Sequence, residues 1–185
     1  KEGLTSGDFS SSELNWLFLG VFIAFASKVP LVPLHTWQAQ TYSQASTTGS
    51  VILAALLSKM GAYGLIRMVL PLFPTVSAEY AGVISAFAVI SILYGAYLAV
   101  VQTDLKRLIA FSSLSHLGFI VLGIFAFTTE AMSGAILQMF AHGVSTAAMF
   151  LMAGMLMDRK DSREIADFQG IANLAPKFTI LFLIT

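Results

Sequence analysis

Long apolar stretches alternate with short polar segments along the whole sequence. A bilayer core about 30 Å thick needs roughly 20 apolar residues per helix, so this pattern predicts five membrane spans and the beginning of a sixth. The first span covers 14–29 and continues as 35–45, and the others cover 50–70, 80–101, 108–127, 132–157 and the segment from 176 onward. We therefore expect an all-α fold, a polytopic bundle of membrane helices.

Two prolines interrupt the first span. Pro30 and Pro33 separate its two apolar halves, and each proline lacks the backbone N–H that a continuous helix needs. Non-helical backbone at membrane depth is tolerated only where it is buried in protein or lines a wet cavity. The first span is therefore predicted to be a broken helix.

The composition excludes several classes of protein. Of the 185 residues, 57% are hydrophobic and 11% are charged, whereas soluble domains carry roughly 25% charged residues. The net charge of zero leaves no basic surface for a nucleic acid. Because cysteine is absent, disulfides, thiol nucleophiles and iron–sulfur ligation by this sequence are excluded. Walker loops, dinucleotide glycine fingerprints and nucleophile elbows are also absent.

The positive residues between the spans predict an orientation. Short loops rich in Lys and Arg remain cytoplasmic, and the residues that fall on one side are Lys106, Arg107, Arg159, Lys160 and Arg163. We expect 158–175 to be a cytoplasmic loop and 1–13 to be an extracytoplasmic tail. We also expect residues 1–185 to be a fragment of one transmembrane domain in a longer protein.

Four ionisable residues lie deep inside predicted spans. They are Lys28, Lys59, His116 and His142, whereas all ten carboxylates lie in tails, loops or span edges. A charge at the bilayer centre costs roughly 2.5–3.5 kcal/mol on insertion scales, so such side chains face a protein interior or a wet cavity. Four of them in one short sequence predict a polar axis through the bundle.

The residue types on this axis suit proton transfer. Burial disfavours the charged form of a lysine, and a histidine can pass a proton between its two ring nitrogens. Hydroxyls beside these bases, such as Ser58 and Ser115, could hold bridging water. The alternatives are that the histidines only hydrogen-bond between helices, that Lys28 snorkels, or that His35, His116 and His142 ligate haem or a metal.

Several motifs occur in a recognisable order. They are KVPLVPLHTW at 28–37, SQA at 43–45, TGSV at 48–51, LLSKMGAYGLIR at 56–67, QTDLKRLIA at 102–110, SHLGF at 115–119 and AHG at 141–143. Together they resemble the antiporter-like membrane subunits of respiratory complex I, across essentially the whole sequence. SHLGF and AHG are most similar to the branch called subunit M. Multisubunit sodium/proton antiporters and membrane-bound hydrogenases contain related subunits.

The resemblance implies a role for each candidate residue. Lys28 matches the lysine of the broken helix, whose partner is a glutamate on an upstream helix, and Lys59 matches the central lysine that links two half channels. His116 and His142 match histidines of the central hydrophilic axis, and His35 matches the histidine after the break. These residues would carry protons.

The implied assembly is a proton-pumping NADH:quinone oxidoreductase, in which quinone reduction elsewhere drives the transfer. The resemblance implies no redox active site or cofactor in this chain, and it places NADH, FMN, iron–sulfur clusters and quinone in partner subunits. The other partners would be the membrane and peripheral subunits of complex I and the lipid bilayer. The alternative is a subunit of a multisubunit sodium/proton antiporter or of a membrane-bound hydrogenase.

The sequence departs from the family pattern after the helix break. Many members continue LPDAH and later APT, where this sequence has QAQTY at 38–42 and AST at 45–47. Because this region is expected near the cytoplasmic end of the broken helix, proton uptake there would differ in detail.

Overall fold

The computed structural model describes residues 9–185, and residues 1–8 of the expected extracytoplasmic tail lie outside this part. The described chain is helical apart from its connections and one isolated β-bridge. We label its helices α1 (Ser11–Lys28), α2 (Thr36–Gln44), α3 (Thr47–Leu72), α4 (Pro74–Val100), α5 (Leu105–Phe125), α6 (Thr129–Lys160), α7 (Ile171–Leu174) and α8 (Pro176–Ile184). The all-α prediction is confirmed.

The helices α3, α4, α5 and α6 are each long and apolar enough to cross a membrane. They correspond to four of the predicted spans, although α4 begins six residues earlier than expected, with Pro74 in its first turn. Proline is favoured there because the first N–H groups of a helix have no intrahelical partner. The expected first span is divided into the 18-residue α1 and the nine-residue α2, as the two prolines predict.

Two π-helical turns interrupt α3. They cover Leu53–Leu57 and Leu65–Val69 and flank a regular stretch, Ser58–Gly64. In a π turn the backbone N–H bonds to the carbonyl five residues earlier instead of four. These turns are the main local irregularity in the helix that carries Lys59.

Glycines allow α4 and α5 to pack backbone to backbone. A Cβ added to Gly95 would lie 2.7 Å from the Ser115 nitrogen, and one added to Gly118 would lie 2.8 Å from the Ala88 carbonyl oxygen. Small residues at such contacts are typical of packed membrane helices. The close approach fixes the part of α5 that carries His116.

Two clusters of buried side chains hold the bundle together. The larger one joins α1, α3, α4 and α5 around Phe18, Leu65 and Ile120, and the smaller one surrounds Tyr42 and Phe150. Many other large apolar side chains are exposed, including Trp16 and Leu137, because a membrane helix presents apolar residues to lipid. The smaller cluster packs α2 against the helices that carry the ionisable residues.

The connections at one end of the bundle pair with each other. Leu105 donates its N–H to the Arg163 carbonyl, and Ile165 donates to the Thr103 carbonyl, each at 2.9 Å. The expected cytoplasmic loop 158–175 is not unstructured, since α6 continues to Lys160 and a 3₁₀ turn covers Ile165–Phe168. This paired segment ties the beginning of α5 to the segment that follows α6.

Candidate functional site

Lys59 and His142 face each other between α3 and α6. The Lys59 Nζ lies 2.9 Å from the His142 Nδ1, and the His142 side chain is 4% exposed. Gly143 lies beside this contact, and a Cβ at that position would lie 3.7 Å from the Lys59 Cε, which is an ordinary van der Waals distance. An amine and an imidazole at hydrogen-bonding distance can exchange a proton directly.

The first π turn gives the Lys59 amine a second partner. The Ser58 N–H bonds to the Leu53 carbonyl, so it does not take the Ala54 carbonyl that an α-helix would give it. Instead the Ala54 carbonyl accepts from the Ser58 Oγ at 2.9 Å and from the Lys59 Nζ at 2.7 Å. The backbone irregularity therefore supplies an acceptor that turns the lysine back along its own helix.

His116 extends the cluster from Lys59 and His142 to α5. Its ring centroid lies 5.3 Å from that of His142, and its Nδ1 lies 3.5 Å from the Gln138 Nε2. His116 and Gln138 also line a cavity of about 400 Å³. The His142 Nε2 is buried and has no hydrogen-bond partner among the described residues, so it is available to a water or to a neighbouring base.

Three of the five sequence-predicted residues thus lie together, in the order Lys59, His142 and His116. Each comes from a different helix, and the close packing of these helices fixes the spacing of the nitrogens. We call these three residues the basic cluster. The arrangement can pass a proton along a row of bases without any carboxylate from the described chain.

Lys28 lies apart from the basic cluster, at the end of α1. It is exposed, and its Nζ lies 5.8 Å from the centroid of the Phe25 ring. Gly61 brings this end of α1 against α3, since a Cβ on Gly61 would lie 2.8 Å from the Val29 nitrogen and 3.0 Å from the Lys28 Cβ. Lys28 is therefore close to the Lys59 helix but not in contact with the Lys59 amine.

His35 lies in the connection between α1 and α2. Its ring packs edge-on against Tyr94 of α4 with centroids 5.1 Å apart, and its Nδ1 is buried without a partner among the described residues. Two hydrogen bonds at 3.0 Å hold the same connection, from the Val32 N–H to the Ser91 Oγ and from the Trp37 Nε1 to the Ser27 carbonyl.

Several residues of the site were missed by the sequence analysis. Gln138 carries a signal that could have been used, because a polar amide inside an apolar span usually hydrogen-bonds to another helix. Ser91 carries no such signal, because its partner Val32 is 59 residues away. Lys106 was assigned to an aqueous loop, but it lies in the first turn of α5 and is 2% exposed.

Metal ligation requires several donor side chains in one place. Among residues 9–185, no group of three His, Cys, Asp or Glu side chains is close enough to hold a metal ion.

A bundle with four helices long and apolar enough to cross a membrane, in which the half-buried Lys59 contacts the buried His142, is typical of an integral membrane protein. The sequence matches the model of the family described as NADH:quinone oxidoreductase/Mrp antiporter, transmembrane, over residues 3–185. The chain belongs to this family, which confirms the resemblance seen in its motifs.

Relatives and solved structures agree with this assignment. NADH-quinone oxidoreductase subunit M of Rickettsia prowazekii is 46% identical over 168 residues, which are 91% of this chain and 34% of that protein. Respiratory complex I from Thermus thermophilus with bound NADH matches 95% of this chain and 38% of its own chain, with 36% identity and a TM-score of 0.86. The Mrp complex from Dietzia matches 94% of this chain and 32% of its own, with 25% identity and a TM-score of 0.88. The chain thus spans about a third of the length of these relatives.

Proposed function

We propose that this chain is part of a proton-translocating subunit of NADH:quinone oxidoreductase. The observation that carries the proposal is the 2.9 Å contact between the Lys59 Nζ and the His142 Nδ1 inside an apolar bundle. A half-buried ammonium group at membrane depth is costly, and a contact with a second base is a poor way to stabilise its charge. The same contact allows the Lys59 amine to transfer a proton directly to the His142 imidazole.

In the proposed mechanism Lys59 receives a proton and passes it to His142, and His116 takes it onward to the cavity that it lines with Gln138. The neutral His142 accepts the proton through its Nδ1 and releases another from its Nε2. The ring can therefore relay a proton without moving. Electron transfer takes place in other subunits, and this chain moves protons only.

Lys28 would control this transfer electrostatically. It lies where α1 packs on α3 at Gly61, two residues from Lys59. A change of charge or hydration around Lys28, driven by the distant redox reaction, would change the proton affinity of the Lys59 amine. His35, between the halves of the broken helix, would connect this region to bound water.

The proposed setting follows from the relatives. The partners would be the other membrane and peripheral subunits of complex I, which would hold NADH, FMN, iron–sulfur clusters and quinone. The location would be the bacterial inner membrane, with the N-terminal tail outside and the segment 158–175 in the cytoplasm.

The decisive experiment replaces Lys59 by Ala in the full-length protein and measures proton pumping in membrane vesicles energised by NADH. We expect assembled complex with a reduced number of protons pumped per electron, and a lower rate of quinone reduction because the steps are coupled. Lys177→Ala, which removes an exposed lysine of α8, is the control and keeps the normal ratio. An unchanged ratio in Lys59→Ala would refute the mechanism.

A second function in the same fold is that of a sodium/proton antiporter subunit. The observation in its favour is the likeness to the Mrp complex from Dietzia. Vesicles with the intact protein separate the two functions, because an antiporter changes the internal pH when a sodium gradient is applied without NADH. A membrane-bound hydrogenase subunit would instead respond to hydrogen oxidation.

A passive scaffold is the remaining alternative. In that case the buried bases would only pair with acids from the rest of the protein, and Lys59→Met would lower the amount of assembled complex without changing the protons pumped per electron.

A further inference from the structure

Lys106 is a buried lysine that the proposed mechanism does not use. It is 2% exposed, although the neighbouring Arg107 is exposed and the surrounding segment is polar. Burying an ammonium group costs several kcal/mol unless hydrogen bonds and opposite charges compensate. Such a residue needs a structural or functional reason.

The partner of Lys106 is the carboxyl end of α2. Its Nζ donates to the Ala45 carbonyl at 2.9 Å, across 61 residues of sequence, and Ala45 is the residue that caps α2. The last carbonyls of a helix lack backbone partners and form the negative end of the helix dipole. Lys106 therefore caps α2 with a charge supplied by α5.

The backbone around Lys106 is held in place by its neighbours. Asp104 caps α5 by accepting the Arg107 N–H at 2.9 Å, and Leu105 is bonded to the Arg163 carbonyl. The Lys106 amine therefore reaches α2 from a part of α5 whose backbone is held by these hydrogen bonds.

The end of α2 is in turn fastened to the helix that carries Lys59. Tyr42 is fully buried, and its hydroxyl donates to the Leu53 carbonyl at 3.1 Å. The Ser50 hydroxyl donates to the Tyr42 carbonyl at 2.6 Å. Leu53 begins the π turn that frees the Ala54 carbonyl for the Lys59 amine.

We propose that Lys106 is a positioning residue for proton transfer, which holds the carboxyl end of α2 so that Tyr42 supports the π turn beneath Lys59. This inference rests on the proposed function of Lys59. The path runs from the Lys106 Nζ to the Ala45 carbonyl, along α2 to Tyr42, and from the Tyr42 hydroxyl to Leu53. Lys106 keeps its proton throughout and does not carry protons itself.

The test compares Lys106→Met, Lys106→Arg and the control Arg107→Met in the full complex, with protons pumped per electron as the readout. Lys106→Met removes the cap and lowers the ratio, since small misplacements of reacting groups slow the transfer between them. Arg107→Met removes a neighbouring exposed charge and leaves the ratio unchanged.

Lys106→Arg separates positioning from proton carrying. A guanidinium can donate to the Ala45 carbonyl but does not release its proton in proteins, so this variant keeps the normal ratio. A loss of pumping in Lys106→Arg would overturn the proposal and identify Lys106 as a proton carrier.

Tyr42→Phe tests the path. It removes the bond to Leu53 and lowers the ratio, and the double variant Lys106→Met/Tyr42→Phe is no worse than the more impaired single variant because both act through one contact. If Lys106→Met does not assemble, normal pumping in Tyr42→Phe overturns the proposal. Loss of pumping in Lys59→Ala together with normal pumping in Lys106→Met would refute this inference alone, whereas normal pumping in Lys59→Ala would refute the proposed function.

Discussion

The Lys59 amine and the His142 imidazole are in direct contact although 83 residues separate them in the sequence. Neither side chain meets a carboxylate of residues 9–185 there, and the amine also donates to the Ala54 carbonyl. Two bases in contact cannot both be charged without repulsion, so the pair favours one shared proton. This is the property on which a stepwise transfer depends.

Replacing His142 by Gln should stop the transfer while leaving the helix contact in place. A glutamine can still accept a hydrogen bond from Lys59 but does not take up a proton. We expect the rate of NADH-driven pumping to fall on the order of a hundredfold, the usual contribution of a positioned proton acceptor. The measurement is the initial rate of vesicle acidification per assembled complex.

Leu137→Ala is the control for His142→Gln, because Leu137 lies on the same helix and is 69% exposed. It should pump normally. Pumping by His142→Gln at the rate of this control would contradict the role of His142.

Gly95→Ala should destabilise the bundle. The added Cβ would lie 2.7 Å from the Ser115 nitrogen, so the backbones of α4 and α5 would have to separate, at a cost of about 1–3 kcal/mol. The thermal unfolding of the full-length protein in detergent measures this loss.

Gly82→Ala is the matched control on the same helix. A Cβ at Gly82 meets nothing within 4 Å, and alanine favours a helix over glycine by about 0.5–1 kcal/mol. Its unfolding temperature should be equal to or above that of the wild type. Equal effects of the two substitutions would mean that the close approach at Gly95 is not required.

Ser91→Ala should loosen the broken helix. The Ser91 hydroxyl accepts the Val32 N–H and donates to the Phe87 carbonyl, so its loss leaves a backbone donor without a partner and costs about 1–3 kcal/mol. Faster hydrogen exchange at Val32 would reveal this change. Ser85→Ala, a half-buried position on the same helix, should leave the exchange unchanged, and the same slow exchange in both variants would refute the role of Ser91.

Substitutions of Asp161 test the backbone conformation at the end of α6. Its φ of 50° lies in the left-handed region, where glycine is unstrained and a β-branched residue is strained. Asp161→Gly should therefore unfold at the same or a higher temperature than the wild type, and Asp161→Val should lose about 1–2 kcal/mol. Equal stability of Gly and Val at this position would show that the backbone adopts another conformation.

The sequence was sufficient to predict the helices but not all of their contacts. The apolar lengths locate the long helices, and Pro30 and Pro33 locate the break, because both signals act within a few residues. The expected polar axis also included Lys28, which lies apart from the other three residues at the exposed end of α1. The order of contacts among Lys59, His142 and His116 depends on the rotation of three helices. Lys106 was misplaced because the charge of a loop does not show whether a side chain turns inward to a helix end.

The π turn at Leu53–Leu57 also sets the direction in which Lys59 points. Each residue of an α-helix advances the chain by about 100° and 1.5 Å, and a π turn holds one residue more than an α turn. If the same residues wound as a regular α-helix, the extra residue would rotate everything after it by about 100° relative to Thr47. The Lys59 amine would then point away from α6, and the contact with His142 would be lost without any change in the residues that make it.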